Sequence, residues 1–174
     1  MDGVEADELR RRIASGDARI TVDPLMPDEV RFLGWSGGPT HLANVSRQLE
    51  RVPAGETDYL VVRADDTMVC KGAIDFAKEP GVGIIWQVAT HPSLEGLGLA
   101  MTLVHELENR AARRHLSSVG LAVELDNPRA RRLYEHLGYQ PVGESEESWM
   151  SDRPDGSTFL YRTTVTLMSK QLGG

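Results

Sequence analysis

The chain has 174 residues, which is the size of a single domain with a hydrophobic core of its own. Its net charge of -7 argues against a nucleic-acid-binding surface, because phosphate groups call for clustered lysines and arginines. With only one cysteine, Cys70, it can form neither an intramolecular disulfide nor a cysteine-rich zinc site.

The N-terminal part is predicted to hold helices that flank a first strand. Leu9 and Ile13 lie four positions apart among charged residues, which predicts a short surface helix that ends at Gly16. We interpret residues 1–16 as a short helical N-terminal extension of one domain that covers residues 1–174. A strand and two further helices are then predicted over residues 19–22, 27–33 and 40–50.

The middle of the chain is predicted to form a strand meander followed by a long helix. The three strands are predicted over residues 58–63, 68–76 and 81–90. The last of them is apolar without strict alternation, as expected for a central strand whose two faces are both covered. The helix carries apolar residues at every fourth position, namely Leu99, Leu103, Leu107 and Ala111.

The C-terminal part is predicted to add three strands and one helix. Apolar residues alternate along residues 119–125, which predicts a strand. Asn127 is suited to cap the helix that comes next, since Pro128 stands at its first position and Gly138 just beyond its end. Two terminal strands, over residues 139–149 and 157–168, are predicted to complete the sheet.

A glycine-rich turn between the apolar strand and the long helix resembles an anion-binding site. Gly96 and Gly98 lack a Cβ, so they can adopt positive φ and let a ligand approach the main chain. The N–H groups at the start of a helix attract a phosphate or pyrophosphate. The turn lacks the Gly-Lys-Ser/Thr of a Walker loop, and Met101 stands where a dinucleotide fold needs a third glycine or alanine. Tight packing of strand against helix is the alternative explanation for the two glycines.

A second motif farther along the chain decides between these explanations. It joins a strand to a helix through an asparagine, and its residues are Asn127, Ala130, Leu133, Tyr134, Gly138 and Tyr139. Together, the two motifs resemble the GNAT superfamily of N-acetyltransferases, over residues 58–149. The resemblance implies an α/β, GNAT-like fold with a mixed, mainly antiparallel twisted sheet of about six to seven strands flanked by helices.

The resemblance also implies where acetyl-CoA, the co-substrate of this family, binds. The pantetheine arm is expected between the strand that ends at Thr90 and the strand that ends at Asn127, where a β-bulge frees main-chain groups. For Asn127 a contact to the cofactor and the role of helix cap both stay open. Arg129 and Arg132 are expected near the nucleotide end. The implied cofactor-binding residues are Val88, Ala89, Thr90, Gly96, Leu97, Gly98, Leu99, Ala100, Asn127 and Arg132.

Three residues are candidates for catalysis. Tyr134 matches the family tyrosine that protonates the departing thiolate, and a phenol of pKa ~10 is close enough to a thiol of pKa ~8.5 for such a transfer. Packing on an amphipathic helix is the alternative role for Tyr134. The acceptor amine must also lose a proton, and Glu124 and Asp75 are the candidate general bases, each acting through water. Some family members carry a glutamate on the fourth core strand, where this chain has Ile84, Trp86 and Gln87.

The turn departs from the family pattern at two positions. Glu95 stands where the family has glutamine or arginine, and Leu97 stands where a basic residue is frequent. A carboxylate beside a pyrophosphate is repulsive, so Glu95 predicts weakened coenzyme A binding. This departure keeps open a second function, that of a catalytically weak acyl-CoA-binding regulatory module.

The function expected from these residues is N-acetyl transfer from acetyl-CoA, without a metal, to a primary amine of a small molecule or a peptide. A cationic amine suits the negative net charge, whereas the same charge disfavours an enzyme that acts on charged tRNA or another nucleic acid. The acidic N-terminus has no apolar signal segment and no run reaches membrane-spanning length, so we expect a cytoplasmic protein with no membrane partner. Assembly into a homodimer stays open.

Overall fold

A computed structural model describes residues 1–173 and contains one seven-stranded sheet with four α-helices. The strands are β1 (Ile20–Pro24), β2 (Thr57–Ala64), β3 (Thr67–Glu79), β4 (Val82–Thr90), β5 (Ser118–Glu124), β6 (Gln140–Asp152) and β7 (Thr158–Gln171). The α-helices are α1 (Gly3–Ser15), α2 (Pro39–Leu49), α3 (Leu99–Arg113) and α4 (Pro128–His136). Short 3₁₀ helices cover Pro27–Phe32, Gly34–Ser36 and Pro92–Leu94.

The sheet is mixed and mainly antiparallel, as the sequence predicts. Its strand order is β1-β2-β3-β4-β5-β7-β6, and β4 with β5 is the parallel pair among the described strands. That pairing covers only Val82–Ile84 against Ser118–Gly120, after which the two strands diverge. The rest of β4, from Ile85 to Thr90, therefore has no strand beside it on the β5 side, and a cleft opens there.

A bulge in β4 makes the strand bend at this point. Lys71 pairs with Ala89 but Ala73 pairs with Trp86, so β4 contains an extra residue opposite Gly72, and Gln87 has a φ of 54°. A bulge bends its strand and disturbs the regular ladder. Gly72 accommodates it, since a Cβ there would lie 2.9 Å from the side chain of Val88 and 3.0 Å from that of Leu103.

Apolar residues cover both faces of the sheet. On one face the predicted stripe of α3, which includes Leu103 and Leu107, packs with β-strand residues in the larger core, and α1 adds Leu9 to it. On the other face Val45 and Leu49 of α2 pack against the smaller core. Consecutive residues of β2 and β3 are buried, as expected for strands covered on both faces, whereas in β4 Gly83 and Ile85 are buried and the other residues are partly exposed, so the prediction that both faces of β4 are covered is wrong.

Several element boundaries differ from the sequence predictions. The helix predicted over residues 27–33 is a 3₁₀ helix over Pro27–Phe32, with i to i+3 hydrogen bonds such as that from the Leu33 N–H to the Val30 carbonyl at 3.0 Å. The glycines that come next, at 34, 37 and 38, end the segment before α-helical hydrogen bonds can propagate. Strands β6 and β7 are each longer than predicted, because they pair with each other along most of their exposed length. No helix within residues 1–173 is long and apolar enough to span a bilayer.

Candidate active site

The divergence of β4 and β5 opens a cleft of about 880 Å³. Its walls include Val88 and Ala89 of β4, and Leu121 and Glu124 of β5. Residues of α2 and of β6 close the opposite side. The cleft thus forms at the strand ends where the sequence predicted the pantetheine arm. Thr90 lies next along β4 and is partly exposed, but it is outside the cleft lining.

The glycine-rich turn has the backbone conformation that an anion site requires. Gly96 and Gly98 have φ values of 81° and 79°, which confirms the expected positive φ at both positions. A Cβ on Gly98 would meet no atom within 4 Å, so the space above it is open. Gly98 is also the N-cap of α3, where main-chain N–H groups lack helical partners. Leu97 and Ala100 are partly buried against the core, and Leu99 is fully so.

Tyr134 lies on the cleft wall. Its ring is 8% exposed and packs edge-on against Tyr139, with the ring centroids 5.7 Å apart. Its hydroxyl has no hydrogen-bond partner within residues 1–173 and is not sealed from the cleft. Burial raises the pKa of Tyr134 to about 12, so the phenol is protonated at neutral pH.

The other residues expected near the cofactor lie on or beside α4. The Asn127 side chain accepts a hydrogen bond from the Ala130 N–H at 3.1 Å, which confirms its role as helix cap, and it also lines the cleft. Gly138, just beyond the helix, has the positive φ of 95° expected of a terminating glycine. The side chain of Arg132 is exposed and lies outside the cleft lining.

The two carboxylates predicted as general bases differ in their surroundings. Glu124 lines the cleft and accepts a 2.6 Å hydrogen bond from the Tyr161 hydroxyl. Asp75 lies outside the cleft lining and is 5% exposed. It accepts hydrogen bonds from Arg51 at 2.8 Å and from the backbone N–H groups of Ala77 and Lys78. The Asp75 carboxylate is thus engaged by groups of the fold itself, which favours a structural role over that of a general base.

We expect Asp75→Asn to destabilise the protein by about 1–3 kcal/mol, because it leaves Arg51 without its buried partner. Burial raises the pKa of Asp75, but the hydrogen bonds from Arg51, Ala77 and Lys78 outweigh it and hold that pKa below its ordinary value. A depressed pKa means that the contribution is present at neutral pH and is lost as the pH falls below about 4. Urea unfolding of both proteins between pH 7 and pH 3 measures it. A lower kcat with unchanged stability would return Asp75 to the catalytic candidates.

A buried lysine on the cleft wall was not among the residues selected from the sequence. Lys71 on β3 is 0% exposed, and its Nζ lies 2.9 Å from Nε2 of His41 on α2. Nζ also donates to the main-chain carbonyl of Gln87 at 2.8 Å and to the Tyr59 hydroxyl at 3.2 Å. The signal that could have found it is a lysine inside the apolar run of residues 69–74. We refer to Lys71, His41, Tyr59 and Gln87 as the lysine cluster.

Comparison with known proteins identifies the family. The model of the acetyltransferase (GNAT) family matches residues 26–139, which is more than half of the chain. The chain belongs to the GNAT acetyltransferase family. A mycothiol acetyltransferase from Brachybacterium faecium is 32% identical over 116 residues. That match covers 64% of this chain but only 34% of the relative's length, so the matched segment spans about a third of that protein.

Solved structures show the GNAT fold in proteins of low sequence identity. A ribosomal-protein-alanine N-acetyltransferase from Brucella melitensis superposes with a TM-score of 0.68 at 16% identity, covering 87% of this chain and 99% of that one. A spermidine N-acetyltransferase from Vibrio cholerae in complex with CoA and spermine superposes with a TM-score of 0.66 at 18% identity. The superposition covers 87% of this chain and 95% of that one. At these identities the likeness concerns the fold.

The glutamate that departs from the GNAT turn pattern is paired with an arginine. The Glu95 carboxylate lies 2.5 Å from the Arg129 guanidinium, and the Arg10 guanidinium donates to the main-chain carbonyls of Glu95 and Ser93. Two cationic side chains from α4 and α1 therefore adjoin the turn. This pairing changes the expectation from the sequence, because Arg129 offsets the negative charge that was expected to weaken coenzyme A binding.

We expect Arg129→Ala to weaken coenzyme A binding about threefold to tenfold at low salt, since it leaves the exposed Glu95 carboxylate unpaired beside the turn. The loss should be small in a Glu95→Gln background, so that a double-mutant cycle shows the coupling. Arg131→Ala is the matched control, because Arg131 pairs with Glu135 on the same helix. Calorimetric titration with coenzyme A measures the effect. Equal losses in both backgrounds would mean that the pair does not influence the turn.

Proposed function

We propose that this chain is an acetyl-CoA-dependent N-acetyltransferase that moves an acetyl group to a primary amine of a small molecule or a peptide. The observation that carries the proposal is the cleft between β4 and β5, with the unpartnered Tyr134 hydroxyl on its wall. Membership of the GNAT family supports the reaction class. Acetyl-CoA, when bound, supplies a thioester carbonyl that an amine can attack.

The turn before α3 and the free edge of β4 provide main-chain groups that could bind coenzyme A. The open space over Gly98 and the free N–H groups at the start of α3 fit a pyrophosphate, and we assign Gly96, Leu97, Gly98, Leu99 and Ala100 to it. The main-chain groups of Val88, Ala89 and Thr90, on the strand edge that β5 leaves, are assigned to the amide groups of pantetheine. Asn127 and Arg132 complete the assigned set.

Tyr134 is assigned the role of general acid toward the departing thiolate. Its pKa of about 12 exceeds that of a thiol in water, but burial raises a thiol pKa as well. Within the same core, burial raises the pKa of the Cys70 thiol to about 11. A thiolate that leaves beside the buried Tyr134 ring loses part of its hydration, which moves its pKa toward that of the phenol and favours proton transfer between them.

Direct attack by the amine is favoured over an acetylated enzyme. Cys70, the one cysteine of the chain, is 0% exposed, and its raised pKa keeps it a thiol at neutral pH. A nucleophilic cysteine requires an accessible thiolate. Cys70 accordingly serves as a small apolar core residue.

The acceptor is proposed to enter from the side of α2 and β6. This wall of the cleft carries polar side chains, with Ser36, Asn44, Gln48, Glu147 and Ser148 among them. The related proteins are named for transfer to spermidine, to the alanine of a ribosomal protein, and for mycothiol. A polar primary amine fits this wall, since amides, hydroxyls and one carboxylate can pair with an ammonium and its polar substituents.

The test is the release of coenzyme A thiol from acetyl-CoA over a panel of polyamines, amino sugars, amino acid derivatives and peptide N-termini. We expect at least one amine to stimulate release well above the rate of hydrolysis, with an amide as product. Tight binding of coenzyme A without stimulated release by any amine would contradict the proposal and favour an acyl-CoA-binding regulatory module.

A further inference from the structure

The lysine cluster adjoins the acceptor side of the cleft, and its geometry is that of a proton-holding site. Lys71, His41 and Gln87 all line the cleft, although the Lys71 side chain itself is shielded from solvent. Around its Nζ stand three acceptors, on His41, Tyr59 and Gln87, which match the three N–H groups of an ammonium. No ion pair among residues 1–173 includes Lys71, so its charge is held by neutral groups alone.

The groups that face Lys71 come from three elements. His41 contributes from α2, Tyr59 from β2, and Gln87 from the bulge of β4. The Tyr59 hydroxyl is itself committed, since it donates to the Gln87 side-chain oxygen at 2.8 Å. Cys70, beside Lys71 in the chain, is a buried neutral thiol. A buried ammonium without a carboxylate partner is costly, so the cluster releases a proton easily.

Burial lowers the pKa of Lys71 to about 7 and, together with the charge of Lys71, lowers that of His41 to about 4. Near neutral pH the cluster therefore alternates between one bound proton, on Lys71, and none. In the state without that proton, the His41 Nε2–H can donate to the lone pair of Lys71. The other ring nitrogen, Nδ1, has no partner within residues 1–173 and is not sealed from solvent.

We propose that His41, backed by Lys71, is the base that takes the proton from the acceptor ammonium. The inference rests on the proposed acetyl transfer. The ammonium gives a proton to Nδ1 of His41 while Nε2 gives its proton to Nζ of Lys71, so the imidazole stays neutral throughout. The free amine then forms the new C–N bond as the C–S bond breaks.

The protons balance in this scheme. Of the three protons on the ammonium nitrogen, one remains on the amide and one moves to the lysine cluster. The third restores Tyr134 after the phenol has protonated the thiolate. The cluster returns its proton to water through His41 before the next turnover. Lys71 is thus a positioning and proton-storing residue, and His41 is the group that touches the substrate.

The pH profile of kcat/KM distinguishes this role from a structural one. We expect a rising limb with an apparent pKa near 7 that does not move when amines of different pKa are used. Lys71→Met removes the stored charge, so the pKa of His41 should rise toward its ordinary value of ~6.5. The rising limb of the kcat/KM profile should then shift to lower pH. The value of kcat/KM at pH 8 should fall about tenfold or more, because the base that remains is weaker. His41→Gln should abolish the limb and lower kcat on the order of 10²-fold.

Matched controls use other residues of the same cleft. Lys78→Met replaces an exposed lysine at the cleft and should leave the rising limb of the kcat/KM profile unchanged. Glu124→Gln removes the competing candidate base and should also leave that limb unchanged. Calorimetric titration with coenzyme A and thermal melting check that each variant is folded and binds. A limb that stays in place in Lys71→Met, or that disappears in Glu124→Gln, overturns the proposal.

NMR titration of the histidine ring nitrogens tests the cluster without turnover. In the wild type, the His41 signals should report the Lys71 transition near pH 7; in Lys71→Met that transition should be replaced by the titration of the His41 ring itself at lower pH. A Lys71 that stays charged through pH 9 overturns the proposal. A wild-type protein that acetylates no amine would refute the proposed function instead, and this titration would still decide whether the cluster exchanges a proton near neutral pH.

Discussion

Tyr134→Phe is expected to lower kcat by about 10²-fold, while the dissociation constant for coenzyme A and the melting temperature stay close to those of the wild type. The substitution removes a hydroxyl that has no partner within residues 1–173, so no hydrogen bond of the fold is lost. The variant lacks only the proton donor that faces the cleft. The decrease in kcat relative to the wild type should be smaller with acyl thioesters whose thiols are more acidic, because a better leaving group needs less protonation.

Tyr139→Phe is the matched control for this experiment. Tyr139 packs against Tyr134, but its hydroxyl donates to Glu108 at 2.8 Å and takes no part in the cleft lining. Its replacement should lower stability, by about 1 kcal/mol for a lost hydrogen bond, with little effect on kcat. Equal turnover in Tyr134→Phe and the wild type would reduce Tyr134 to a packing residue.

The second large effect is expected from Gly98→Val, which should weaken coenzyme A binding by on the order of 10²-fold. The φ of 79° at Gly98 is unfavourable for a β-branched residue, and the new side chain would fill the open space where the pyrophosphate is proposed to lie. Loss of hydrogen bonds to a charged ligand, at about 1.5–3 kcal/mol each, accounts for an effect of this size.

Gly156→Val separates the backbone strain from the loss of the ligand site. Gly156 has a φ of 86°, and a Cβ there would also meet no atom within 4 Å, but it lies in the turn between β6 and β7. Both variants should lose about 1–2 kcal/mol of stability from the strained backbone. Only Gly98→Val should lose affinity in calorimetric titration. Similar dissociation constants for the two variants would contradict the pyrophosphate assignment.

Local patterns explain why much of the fold was predictable. The stripe from Leu99 to Ala111 and the Asn127 cap depend on residues within one or two helical turns, and both occur as predicted. The same holds for the positive φ of Gly96 and Gly98, because only glycine adopts this conformation freely. The helix predicted over residues 27–33 occurs as a 3₁₀ helix over Pro27–Phe32, because the glycines just beyond its end keep it short.

The parts of the site that the sequence did not predict depend on contacts between distant residues. His41 and Lys71 are 30 positions apart, and Glu95 and Arg129 are 34 apart. From the sequence alone, Glu95 predicts repulsion of the pyrophosphate. Its pairing with Arg129 depends on the position of α4 beside the turn, which only the folded structure shows. Lys71 likewise stands in an ordinary strand, and only burial on all sides makes its proton labile. No periodicity or spacing encodes such pairings.

Acetyl transfer itself is measured most directly by following acetyl-CoA labelled with ¹³C at the acetyl carbonyl in the presence of the amine panel. NMR then distinguishes the carbonyl of a thioester, an amide, free acetate and an acetylated protein. We predict that the thioester signal is replaced by an amide signal on the acceptor, that no label is found on the protein, and that Tyr134→Phe slows this replacement by about 10²-fold. A thioester that persists with every amine, or that yields only acetate or an acetylated protein, would contradict the account.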